Sequence, residues 1–139
     1  MTPSEKMGEV YADIVFHGAR GSRQTLRLLV DTGSSYTWIP RSLARRLGVL
    51  STDRIGLEIA DGRTVWRDLG EIEAEILGAR ATTLVIFGAP KDMSVVGLYT
   101  LEGLRLWIDP VTRRLRRGRR ALAVSPRLLG PPRAGLALA

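Results

Sequence analysis

The stretch that most narrows what this chain can fold into runs from Leu28 to Pro40. Leu28-Leu29-Val30 reads as a short strand buried on both faces, and it ends in Asp31-Thr32-Gly33-Ser34-Ser35 before Tyr36-Thr37-Trp38-Ile39-Pro40 resumes as a second apolar segment. Two strands must therefore enter and leave one tight turn that carries a carboxylate. Asp31 is expected beside apolar neighbours, where burial disfavours the charged form and raises the pKa. Thr32 sets a hydroxyl next to it, Gly33 leaves room for a backbone or ligand, and Ser34 offers a second hydroxyl within reach of the Asp31 oxygens. The same letters also suit an ordinary Asp-Gly turn closed by its own side chain.

Alternation on either side of this turn supplies its partners. Apolar residues at 10, 12, 14 and 16 are separated by Tyr11 and Asp13, the pattern of a half-buried strand, and 24–30 returns as the strand that delivers Asp31. Residues 41–48 predict a short helix, with Ser42 as N-cap, Leu43 and Leu47 on one face, and Gly48 at its end. Asp61-Gly62 between two alternating runs predicts a hairpin with its tip at Ala60-Asp61-Gly62-Arg63. In the returning arm Ile72, Ala74 and Ile76 alternate with Glu71, Glu73 and Glu75, which places three carboxylates on an exposed face, solvated or paired with Arg. Further strands are expected over 81–87, 93–97, 104–110 and 111–117, with a helix over 98–103. One domain over 1–118 and an Arg- and Pro-containing tail over 119–139 complete the organisation.

Composition removes several chemistries. With no cysteine there is no disulfide, thiolate metal site or cysteine nucleophile, and the single His17 rules out a multi-histidine metal site. No metal or cofactor is expected, and His17 reads as an ordinary strand-end residue. The polar N-terminus and the lack of a long apolar run make a cytoplasmic protein without a membrane span the expectation. The net charge of +7 comes from Arg, and six of the eight residues from Arg113 to Arg120 are Arg. Such a run can neutralise phosphates, so nucleic acid is a candidate partner, although little aromatic interleaving accompanies it.

The Leu29–Pro40 stretch resembles the active-site segment of the aspartic proteases: two apolar residues, Asp-Thr-Gly-Ser, a second Ser, and then Trp38 and Pro40 spaced as in pepsin-like members. Val95-Val96-Gly97 before a short helix is similar to the family's second element, and Gly97 follows Asp31 by 66 residues, as in the small retroviral-type enzymes. The resemblance implies an all-β, retropepsin-like fold, a flap at Ala60 to Arg63, and Asp31 as the catalytic carboxylate. It also implies that Thr32 bonds across a dimer, Gly33 presents its carbonyl to substrate, and Ser34 orients Asp31. A strand over 93–97 would pass beside the Asp31 turn, where a side chain at Gly97 would collide with it.

Aspartic protease chemistry needs two carboxylates sharing a proton, and the chain offers one such motif. Asp61-Gly62 and Asp109-Pro110 lack the preceding apolar strand and the Thr or Ser. The expectation is a two-fold homodimer cutting extended peptide or unfolded protein, with one Asp31 from each subunit. The alternative is a dimeric binding module that holds peptide, or nucleic acid through the Arg run, without cutting. Ser35 and Leu98 stand where many retroviral members carry an Asp and an Arg that brace the dimer, so that contact must be built differently.

Overall fold

A computed structural model describes residues 8–118. Nine strands and two short helices follow in the order β1 (Tyr11–His17), β2 (Arg23–Val30), β3 (Thr37–Pro40), α1 (Arg41–Arg46), β4 (Ser51–Glu58), β5 (Thr64–Ile76), β6 (Ala79–Gly88), β7 (Val95–Val96), α2 (Leu98–Gly103), β8 (Leu106–Asp109) and β9 (Arg114–Arg117). The fold is all-β, as expected of an aspartic protease domain.

Seven strands form one sheet in the order β1-β2-β7-β3-β6-β5-β4, and a further pairing of β1 with β5 closes it into a barrel that leaves β4 outside. Period-two alternation decides what faces inward. Ala12, Ile14 and Phe16 of β1 and Ile72, Ala74 and Ile76 of β5 are all buried, and they meet Leu28, Val30, Ile39, Val85, Phe87 and Val96 in one core. The β5–β6 connection is the two-residue turn Leu77-Gly78, both with positive φ (53° and 80°), a geometry that matches the twist of the paired strands. Strand β5 is long enough to serve twice. Its residues 69–76 pair with β6, whereas residues 64–68 pair only with β4, so the β4–β5 hairpin projects from the barrel as a two-stranded ribbon.

Two expectations need correction here. Helix α1 starts at Arg41 with Pro40 in the N-cap position and no side-chain cap; Ser42 is already inside the first turn, because β3 runs directly into the helix. Leu43, Ala44 and Leu47 are nevertheless buried, and Gly48 leaves the helix at φ +75°. The strand expected over 93–97 shortens to Val95–Val96. The glutamates of β5 are only partly free: Glu73 pairs with Arg80, and Glu75 takes the strand-end His17 at 2.8 Å. The arginine run begins inside the fold, since Arg114–Arg117 form β9 against β8; the tail expected over 119–139 lies outside the described residues.

Candidate active site

The Asp31 turn is built where two strand connections cross. β7 lies between β2 and β3, parallel to the first and antiparallel to the second, with Leu29 beside Val95 and Trp38 opposite Val95. The Asp31 amide donates to the Val96 carbonyl at 2.9 Å, so the end of β7 fixes the start of the turn. Within the turn, the Gly33 amide donates to Asp31 Oδ1 at 2.9 Å and the Ser34 amide donates to the Asp31 carbonyl at 3.1 Å.

Beyond β7 the chain presses directly on the backbone that follows Asp31. A Cβ at Gly97 would lie 2.2 Å from the Tyr36 carbonyl oxygen and 2.9 Å from that of Ser34, distances no side chain tolerates. The amides of Leu98 and Tyr99 then donate to the carbonyls of Ser34 and Ser35. Underneath, three buried hydroxyls form a chain. The Gly97 amide donates to Thr37 Oγ1 at 2.9 Å, Thr37 and Thr100 hydroxyls lie 2.6 Å apart, and Thr100 and Thr83 lie 2.7 Å apart. Each hydroxyl thereby has a partner out of water's reach.

Above the turn a cleft of about 640 Å³ opens, floored by Asp31, Gly33 and Ser34, walled by Trp38, Asp92, Met93 and Val95, and roofed by Glu58–Ala60 and Gly62 of the β4–β5 hairpin. Residues far apart in sequence thus converge: Asp31, Gly33, Ser34, Trp38, Ala60, Gly62 and Val95 share one cavity. Asp61 and Arg63 are not part of its lining and pair with each other across the exposed hairpin tip, Nε to Oδ2 at 2.7 Å. The Arg63 amide, donating to Asp61 Oδ1, and then that side-chain pairing hold the Asp61 carboxyl below the usual carboxylate range. Val96 and Gly97 lie behind the cleft as packing, and Thr32 is exposed at the turn.

Two readings of the turn are corrected. Asp31 is exposed rather than buried among apolar neighbours, because β2 ends at Val30 and the next residue already faces the cleft. Ser34 does not bond to the Asp31 carboxylate; its hydroxyl donates to the Tyr36 carbonyl at 2.7 Å, closing the far side of the turn.

Asp92 and Met93 escaped the sequence reading. Asp92 accepts the Ala89 amide at 2.7 Å, a loop-closing bond that an Asp three residues after the loop start could have suggested. It also holds Arg67 of β5 in a two-pronged contact, Nε to Oδ2 at 2.7 Å and a terminal nitrogen to Oδ1 at 3.2 Å. Arg67 pulls the Asp92 carboxyl below its ordinary range, against the opposing effect of partial burial, and Arg41 adds to the pull. Met93 is among the most exposed apolar side chains described, and nothing in its local sequence announces a cleft wall.

Among the described residues no group of three or more His, Cys, Asp or Glu is placed to hold a metal ion, and no helix is long and apolar enough to cross a membrane. A search of curated proteins returned no match. A sequence model described as aspartyl protease matches residues 15–99, more than half of the chain. That span contains the Asp31 turn, the projecting hairpin and the Val95–Gly97 crossing, the three parts that the fold brings together around one cleft, and the chain accordingly belongs to the aspartyl protease family.

Proposed function

We propose that the protein is an aspartic endopeptidase that works as a symmetric homodimer, with Asp31 of each protomer at the two-fold axis. The observation that carries this reading is the exposure of Asp31 at the floor of the cleft. Of the other carboxylates that line the cleft, Asp92 is engaged by Arg67 and the Ala89 amide and Glu58 belongs to the hairpin, and the sequence holds no second Asp-Thr/Ser-Gly turn, so a second copy is the economical source of the partner acid.

With two Asp31 carboxyls close together, like-charge repulsion keeps one protonated while the other stays ionised. The ionised carboxylate takes a proton from water as the water oxygen attacks the scissile carbonyl carbon. The protonated carboxyl gives its proton to the carbonyl oxygen, forming a neutral gem-diol. Collapse of that intermediate breaks the C–N bond, and a proton passes to the leaving nitrogen. In this scheme Thr32 bonds across the dimer beneath the carboxyls, and the Gly33 carbonyl receives a substrate amide. The hairpin tip acts as a flap over an extended peptide, bound by backbone pairing.

Digestion of a peptide mixture from about pH 3 to 7, read by mass spectrometry, tests the reading. New termini that vanish in Asp31→Asn, together with a dimer in sedimentation, are the expected result. A folded dimer that binds peptide but cuts nothing at any pH points instead to the binding-module alternative.

A further inference from the structure

The projecting hairpin is secured differently from the rest of the sheet. Beyond Leu69 and Gly70, the last β5 residues paired on both sides, the segment 64–68 has only β4 as a neighbour, and a two-stranded ribbon is marginally stable by itself. Gly70 marks the pivot: a Cβ there would lie 2.7 Å from the Leu50 carbonyl oxygen and 2.9 Å from Val49 Cγ1, so the chain entering β4 presses directly on β5 at this point. Arg67 stands three residues beyond that pivot on the side of the hairpin that also carries half-buried Ile55, Leu57 and Val65. Its fork reaches Asp92, which sits in the loop between β6 and β7 and lines the same cleft as Asp31.

We infer that the Arg67–Asp92 pair is a latch that sets the height of the hairpin over the cleft, and that both residues are positioning residues for substrate. Three features support it. The contact joins roof to wall and lies in neither one alone. Its two side chains are only 22% and 21% exposed, so solvent weakens it less than the hairpin's other ion pairs, Arg54–Asp68 and Asp61–Arg63, which lie at the surface. Asp92 is itself anchored by the Ala89 amide, so the latch pulls against a fixed point. Opening the hairpin to admit a peptide then means breaking a paired, half-buried charge contact, and closing restores it over the bound chain.

The inference deepens the peptidase reading, and its test separates the two. Amide hydrogen exchange at Ile59, Gly62 and Arg63 reports hairpin opening with no substrate present, and the amides of Phe16 and Val85 serve as barrel controls. Arg67→Gln is expected to speed exchange at the hairpin by about tenfold while leaving the controls unchanged. In peptide cleavage the same variant is expected to raise KM several-fold with little change in kcat, and Arg67→Lys, which keeps the charge and loses the fork, is expected to fall between. Asp92→Asn should reproduce the effect. Should it fail to fold, Arg67→Gln still decides, because it leaves the Asp92–Ala89 bond in place. Unchanged hairpin exchange in Arg67→Gln, or acceleration equal in barrel and hairpin, overturns the latch. If the wild type cuts no peptide, the peptidase reading fails, and the exchange result still stands or falls by itself.

Discussion

The floor and the roof of the cleft are built on opposite principles. Under Asp31 two chain segments touch backbone to backbone at Gly97, three threonine hydroxyls satisfy one another out of contact with water, and the threonines, Val95 and Val96 are buried. Over Asp31 hangs a ribbon whose strands see each other and little else, held to the wall by one two-pronged ion pair. The floor is held by many short contacts, while the roof rests on few. The proposed peptidase reading asks one part of the site to hold a carboxylate still and another to let a peptide in, and the two sets of contacts lie on different stretches of sequence.

That contrast can be broken or sharpened by substitution. The largest effect is expected at the floor's chemistry: Asp31→Asn should lower peptide cleavage by about a thousandfold or more without loss of thermal stability, since the side chain is exposed and nearly isosteric. Gly97→Ala comes next. Its methyl group has nowhere to go, and a cost of about 3 kcal/mol or more is expected in denaturant unfolding. Thr100→Val removes the middle of the hydroxyl chain and leaves Thr37 and Thr83 short of a partner, which predicts about 2 kcal/mol of destabilisation by the same measurement.

Roof substitutions should hardly register in global stability. The titration of Asp92 offers a finer probe. Its carboxyl lies below the ordinary range in the folded chain, chiefly through the hydrogen bond from Arg67, so the stabilisation it lends is complete above the unfolded value of about 3.9. That contribution declines once pH falls below the unfolded value and is gone below the depressed folded value. The resonance of Arg67 Nε–H should therefore hold its position through the usual carboxylate range and shift only below it. A shift centred in the ordinary range would mean that the latch is no stronger than a surface pair. The smallest effect belongs to the hairpin tip: Asp61→Asn, which breaks a fully exposed contact with Arg63, should leave the melting temperature unchanged.

What could be read in the sequence follows the range of the forces involved. The alternation in β1 and the Asp61-Gly62 hairpin are local patterns with period two, and they stand in the structure where the letters placed them. The crowding at Gly97 was legible only through resemblance, because the backbone it meets lies some 60 residues earlier. The exposure of Asp31 has no signal in the letters, because an apolar run shows that a strand is buried without showing where the barrel ends. Ser42 has the residue type of a cap, yet Pro40 takes the N-cap position two residues sooner. The threonine chain and the Arg67–Asp92 contact join residues 17 to 63 apart in sequence, and no local signal marks such partners.

Strand β5 carries a final consequence. One continuous run of 13 residues supplies both a wall of the barrel and an arm of the ribbon. Because side chains alternate, a single residue inserted near Leu69 and not absorbed by a bulge would turn either Ile72, Ala74 and Ile76 outward or Val65 and Arg67 away from the face on which Arg67 meets Asp92. The two halves share a reading frame. An insertion at the hairpin tip keeps no such frame, whereas within β5 the burial of Ile72, Ala74 and Ile76 fixes which side chains the ribbon presents, and the barrel thereby constrains the geometry of the site above it.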